Sequence, residues 1–241
     1  MPPGLAQLDT PPDLVDRAYS ALRDAISEGT LAPGQRLTQE EIAAKLAVSR
    51  QPVLQALRLL KADRFVEDAP GRGVQVTPLD ARWIEEVYAV RSALDAQAAR
   101  LAARRVATRR AADARRRAPA GPAAVPVIEP RLIEAGRKAA RGRSVYAMIE
   151  ADLAFHNAIY AAAANPLLAQ TAQQHWRHIR RAMGAVLQTS SRRASVWDEH
   201  EAIAQAIESG DAEAAAQLML AHGDRAAQHL ARRLEAEPPA P

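Results

Sequence analysis

With 241 residues, the chain is too long for one small helical domain and comfortable for two. Hydrophobic residues make up 48% of it but aromatics only 4%, so a core must rest on Leu, Ile, Val and Ala, a composition that favours helices over sheets. Cysteine is absent, which excludes disulfides, cysteine zinc fingers and thiol chemistry, while the net charge of +4 permits nucleic-acid binding without requiring it.

Residues 1–12 are proline-rich and read as a disordered tail. A helix is predicted over 13–28, with Leu14, Ala18, Leu22 and Ile26 on one face and Gly29 ending it. Pro33-Gly34 marks a turn. Thr38 opens a second short helix, with Glu41 at the capping-box position and Ile42 and Leu46 pointing inward. Ser49 suits the N-cap of a third helix over 50–62, where Pro52 falls in the tolerant first turn. Phe65-Val66 and Gly73–Thr77 then read as two short strands around the turn Ala69–Arg72. Three helices and a hairpin within residues 13–79 follow the order of a winged helix-turn-helix.

From Asp80 the pattern is helical: about 81–107, then 131–141, 144–163, 167–188, 195–209 and 212–235. The prolines of 118–130 make that stretch an irregular linker, and 236–241 a second tail. The fold class is therefore mainly α, a winged helix followed at 80–235 by a helical bundle. No secretory signal pattern and no apolar run of membrane-spanning length is present, so a cytoplasmic protein with no membrane partner is expected.

Two constellations carry chemistry. In the 50–62 helix, Val53, Ala56, Leu57 and Leu60 form the inner stripe, leaving Arg50, Gln51, Leu54, Arg58 and Lys61 outside. Arg and Gln near the N-terminus of an exposed helix suit major-groove entry, since each can bond a purine edge in bidentate fashion. Arg72, between two glycines at the hairpin tip, can reach a phosphate or the minor groove. The second constellation is Asp152, His156, His200 and His222. The first two are four apart and share a helix face. The last two flank Gly210-Asp211 by roughly 10–12 residues at ~1.5 Å each, so a tight turn there sets them opposite each other. Three imidazoles and a carboxylate make a ligand set for a divalent metal, Zn or a neighbour such as Ni or Mn.

These residues also carry a resemblance. ValSerArgGlnProValLeuGlnAlaLeu, followed by PheValGluAspAlaProGlyArgGlyValGlnVal, resembles the winged helix of GntR-type bacterial regulators over about residues 15–78. Their usual run is V-S-R-x-P-V-R-E-A-L, then G-L-V and G-R-G-x-x-V. The resemblance implies DNA contacts at Ser49, Arg50, Arg72 and Gly73, and at Gln51. Leu54 stands where the family usually has an arginine that touches DNA.

AspLeuAlaPheHisAsnAlaIle, then AsnProLeuLeu, then GluHisGluAlaIleAlaGlnAlaIleGluSerGlyAspAlaGluAlaAla resemble the all-helical FCD ligand-binding domain of the FadR branch. Residue by residue, that implies metal ligands at Asp152, His156, His200 and His222, with His175, His178 and His229 outside the set. ValTyrAlaValArgSerAlaLeuAspAlaGln resembles the first FCD helix and implies that Arg91, on spacing alone a solvent-facing charge, enters the pocket. A guanidinium there suits a small carboxylic-acid effector; Asn165 and Arg180 are further pocket candidates. The 108–130 stretch departs from the family's short connection, and Arg104, Arg105, Arg109, Arg110, Arg115, Arg116 and Arg117 read as a solvated face, with phosphate contact as the alternative.

The resemblance implies an effector-controlled regulator, a repressor in the family's commoner mode, acting as a homodimer on a double-stranded operator with an inverted repeat. The alternative is a metal-dependent enzyme with a helical accessory module, its open metal position activating water. Against it, no general base is apparent: Glu199 and Glu201 flank His200 but are expected to project away from it.

Overall fold

The computed structural model describes residues 14–71, 73–115, 127–142, 144–187 and 195–236. The chain divides into two compact units at Pro78/Leu79.

In the first unit, α1 (Leu14–Ser27) buries Ala18, Leu22 and Ile26, whereas Leu14, at the helix's first position, is 44% exposed rather than inward. A left-handed Gly29 follows the helix. Thr38 and Glu41 close the capping box of α2 (Gln39–Leu46) in both directions. α3 (Arg50–Ala62) buries Pro52, Val53, Ala56, Leu57 and Leu60. The sheet has three strands rather than two. β1 (Arg36–Leu37) and β2 (Val66–Asp68) both pair antiparallel with a central β3 (Val74–Val76). β1 has only two residues, too few to show alternation in the sequence. Gly73 has φ of +95°, and a Cβ there would lie 3.0 Å from the Leu37 carbonyl, so β1 and β3 approach through a residue that must lack a side chain.

The second unit is built on α4 (Ala81–Arg115), which touches α6 (Val145–Ala163), α7 (Pro166–Val186), α8 (Ser195–Ser209) and α9 (Ala212–Ala236). α4 runs eight residues beyond the expected end at 107. Ala and Arg are strong helix formers, and nothing in 108–115 breaks the helix. Of the expected linker 118–130, residues up to 126 lie outside the described residues. Ile128 is buried and its backbone N–H donates to Glu208 Oε1 at 2.9 Å; Pro130 is the first residue of α5 (Pro130–Arg141).

Alanine dominates the inner face of α4, where Ala96, Ala98, Ala99, Ala102 and Ala103 are all buried against a core that includes Ala215 and Ala216 of α9. Small side chains let two helix backbones come close. At Gly223 a Cβ would lie 2.0 Å from Ser92 Oγ, so α9 meets α4 there through a residue without a side chain. At the α8–α9 turn, Gly210 is left-handed and the Asp211 side chain accepts from the backbone N–H of Ala214 at 3.0 Å.

Gly223→Ala should therefore open the α4–α9 seam at a cost of about 1–3 kcal/mol, the range for overpacked cores. Thermal unfolding checks this: the single variant should melt lower, and adding Ser92→Gly should recover part of the loss.

Candidate metal centre and nucleic-acid interface

On α3, Ser49 occupies the N-cap with its hydroxyl making no capping bond, and Arg50, Gln51, Arg58 and Lys61 are exposed. Arg50 Nη1 pairs with Glu40 Oε1 at 2.9 Å, an exposed contact that contributes little to stability and can yield to another acceptor. Leu54 is half-buried, not fully outside: with Leu57 it lines a groove shared with Arg58, Lys61, Gly73 and Val74. Lys61 Nζ meets Asp68 Oδ2 at 2.5 Å, tying the end of α3 to β2. Arg72 lies outside the described residues.

In the helical unit, two stripes face one another. On α6, Asp152, His156 and Tyr160 recur every four residues; on α4, Tyr88, Arg91 and Asp95 recur at three and four. His200 of α8 and His222 of α9 close the group across the Gly210 turn. One ligand atom from each of Asp152, His156, His200 and His222 lies within 4.8 Å of the others, and all four residues are buried. His200 Nε2 is 3.3 Å from His222 Nε2 and 3.4 Å from Asp152 Oδ1. Bonds of about 2.0–2.1 Å at tetrahedral angles separate two ligand nitrogens by about 3.3–3.4 Å, so these spacings suit a shared ion. Among the described residues, the wholly buried His156 Nε2 has no hydrogen-bond partner, which leaves a lone pair for a metal.

Each imidazole is oriented differently. His156 Nδ1 sits 3.4 Å from Asp95 Oδ2, and His222 Nδ1 bonds Glu199 Oε2 at 2.8 Å, Glu199 also accepting from Arg225 Nε at 2.8 Å. A carboxylate on the far ring nitrogen fixes the tautomer and raises ligand basicity. His200 has no such partner; its Nδ1 is buried and unbonded. Aromatic packing holds it instead: Phe155 stacks on it at 4.2 Å and Trp197 meets it edge-on at 4.6 Å. Trp197 in turn lies over Gly136 of α5, where a Cβ would come within 2.0 Å of the indole.

The electrostatics favour the metal-binding form of two histidines and, with no ion present, oppose that of the carboxylate. Burial, then the Arg91 charge, holds the His156 imidazole well below its usual range; burial, then His222, does the same to His200. Both are neutral, as ligation requires. Burial pushes the Asp152 carboxyl up, with Arg91 pulling it back. Burial also raises Glu199, but the hydrogen bonds from His222 and Arg225 outweigh it and leave its pKa low.

Arg91 is not solvent-facing. It is 3% exposed, lies 3.8 Å over the Trp176 ring and places Nε 3.0 Å from Asp95 Oδ2. Burial opposes its charge, but Asp95 and Tyr88 keep it a guanidinium. Together with Tyr88, Asp152, Glu199, His222 and His229 it lines a cavity of about 70 Å³ whose remaining wall is apolar. The other two pocket candidates stand elsewhere. The Asn165 side chain caps α7 by accepting from Leu167, and Arg180 pairs with Glu150 at 3.0 Å and lies over Tyr146; neither lines this cavity. The expectation that Glu199 and Glu201 project away holds only for Glu201, which pairs with Arg137 at 2.7 Å. Glu199 turns to His222 on the neighbouring helix, a partner invisible from its own helix. His178 packs edge-on against Trp83, 5.8 Å between centroids.

A winged helix followed by a helical unit that buries a histidine–carboxylate cluster beside a small cavity defines a class of effector-domain DNA-binding regulators. The family described as "FCD domain" matches residues 86–225, and "Bacterial regulatory proteins, gntR family" matches residues 14–76. The chain belongs to the GntR family and carries an FCD domain; it is a DNA-binding transcriptional regulator, and its relatives are regulators, not enzymes. It is 26% identical over 230 residues to the HTH-type transcriptional regulator YdhC of Bacillus subtilis, covering 95% of this chain and 96% of that one. It is 30% identical over 97 residues to the HTH-type transcriptional repressor RspR of Escherichia coli, covering 40% and 42%. The fold matches McbR/YncC of E. coli at a TM-score of 0.67 and 20% identity, over 91% of this chain and 97% of that one. A GntR regulator from Rhodococcus gives the same TM-score at 24% identity, over 90% and 96%.

Gly136→Ala should displace Trp197 and release the edge that braces His200. The expected result is a changed near-ultraviolet circular dichroism spectrum and a lower melting temperature; a spectrum identical to wild type would show that the indole does not move.

Proposed function

We infer that the protein is a homodimeric repressor whose grip on an inverted-repeat operator responds to a small carboxylic acid bound beside a metal ion in the helical domain. The observation that supports this most directly is the juxtaposition of the buried Asp152/His156/His200/His222 group with a cavity into which Arg91 is built. A guanidinium buried without a well-aligned acceptor for Nη2 is costly unless an anion completes it. The four ligands suit Zn first, with Ni or Mn as alternatives. When bound, the ion would supply positive charge beside the cavity, while Arg91 matches the carboxylate fork and the apolar wall sorts the rest of the ligand. Asn165 and Arg180, committed to other partners, are left out of this role.

On the DNA side, Arg50 and Gln51 at the start of α3 read base edges, Arg58 and Ser49 serve the phosphates, and Arg72 and Gly73 belong to the wing. Leu54, which cannot bond a base edge, offers a thymine methyl an apolar contact. Two copies are needed because one winged helix covers few bases and an inverted repeat mirrors a two-fold dimer. Among the described residues no helix is long and apolar enough to cross a membrane, and a regulator of operators acts in the cytoplasm.

Two measurements test this reading. Arg50→Ala should weaken binding to an operator obtained by site selection by about 1–3 kcal/mol at fixed salt with no change in melting temperature. Unchanged affinity would remove α3 as the reader. Purified protein should bind about one divalent ion per chain. Its removal by a chelator should lower the melting temperature, because an ion bound only to the folded state stabilises it; full occupancy in a His200→Ala, His222→Ala double variant would remove the site.

A further inference from the structure

We propose that Asp95 is the positioning residue that couples carboxylate binding at Arg91 to metal binding at His156. This rests on the metal and carboxylate reading above and adds to it a path between the two ligands.

One carboxylate serves three groups. Asp95 Oδ2 lies 3.0 Å from Arg91 Nε and 3.4 Å from His156 Nδ1, while Oδ1 accepts from the Tyr160 hydroxyl. Arg91, Asp95, His156 and Tyr160 are all buried, so solvent does not dilute these contacts. His156 presents Nδ1 to Asp95 and keeps Nε2 free, so the contact with Asp95 selects the tautomer that can bind an ion. Arg91 and His156 draw on the same oxygen. While Arg91 has only Asp95 as its anionic partner at Nε, the carboxylate's charge is divided between the guanidinium and the imidazole. An incoming carboxylate that takes the Arg91 fork relieves Asp95 of part of that load. Asp95 then accepts more strongly from His156 Nδ1–H, which makes Nε2 a better donor to the ion. The two ligands therefore bind with positive coupling through the protein, and by reciprocity the ion tightens the carboxylate site by the same factor. No direct bond between carboxylate and metal is required.

The test measures zinc affinity by chelator competition on the full chain, with and without acetate as the probe carboxylate, in wild type, Asp95→Asn and Asp95→Glu. Wild type should bind one zinc per chain more tightly when acetate is present. Asp95→Asn should lose about 10–100-fold in zinc affinity, the usual effect of removing a carboxylate behind a histidine ligand, and should lose the acetate dependence. Asp95→Glu should recover both in part. An acetate effect that persists at full size in Asp95→Asn would overturn the coupling through Asp95 and place it in direct contact between acetate and metal. Unchanged zinc affinity in that variant would overturn the positioning role. Absence of zinc binding by wild type would instead remove the underlying reading, and this proposal with it. Should Asp95→Asn fail to fold, nuclear magnetic resonance of zinc-loaded wild type decides. The His156 Nδ1–H proton should move downfield on adding acetate, and a resonance that stays in place while acetate tightens zinc would overturn the proposal.

Discussion

The close approach of α9 to α4 is the constraint on which the helical unit depends. Alanines along α4 and Gly223 on α9 let the two helices pack closely at Ser92, and His222 is the residue next to that contact. With His222 placed, the Gly210 turn carries His200 back toward it, and the stripe Asp152–His156–Tyr160 completes the ring from α6. A row of groups able to ionise or donate then occupies a seam that in a purely structural helical domain would hold Leu and Ile. Their desolvation is offset only by one another: Asp95 against Arg91, Glu199 against His222 and Arg225, and Phe155 and Trp197 against the faces and edges of His200.

The parts of this arrangement legible in the sequence are those that obey a local period. A spacing of four put Asp152 and His156 on one face, and a glycine followed by an aspartate announced the turn that sets His200 opposite His222. Capping at Thr38 and Glu41 and the buried stripe of α3 were legible for the same reason. What was not legible depends on a partner from another helix. Nothing in the sequence singled out Asp95, whose partners come from two helices, and Glu199 was judged by its direction from His200 when its partner is His222, 23 positions away. Trp197 gave no sign that it leans on a glycine of α5. The helix was expected to end near 107 ahead of the prolines of 118–130, yet Ala- and Arg-rich sequence carries α4 to Arg115, where Arg110 Nη1 also donates to the Ser209 carbonyl.

The DNA-binding unit is organised by a different economy. Its core is small, and α3 is held from below by Pro52, Val53, Ala56, Leu57 and Leu60, the exposed Lys61–Asp68 pair at its end adding little. Arg50, Gln51 and Arg58 are exposed, Arg50 meeting only the exposed Glu40, so changes in them should have little effect on folding. Leu54 is intermediate. It shares a groove with Leu57 while remaining half-exposed, so it can touch a ligand in the groove only by apolar contact. An arginine at this position would instead add a charge and five donors, and with them a steeper dependence on salt.

The buried cluster is incompletely satisfied as the protein stands. Among the described residues, His156 (Nε2), His200 (Nδ1) and Arg91 (Nε and Nη2) keep buried nitrogens without a hydrogen bond, Arg91 Nε facing Asp95 only as an ion pair, and each such group costs about 1–3 kcal/mol. A domain selected for stability alone would remove them. A domain that senses ligands gains from keeping two of them, because groups left unsatisfied in the free protein are those whose free energy changes most when an ion or an anion arrives. In the proposed reading His156 Nε2 receives the ion and Arg91 the anion, and Asp95 touches both residues. His200 Nδ1 stays dry either way, held between aromatic rings that admit no acceptor. The asymmetry separates the histidine whose surroundings respond to a second ligand from the histidine whose surroundings only hold it in place.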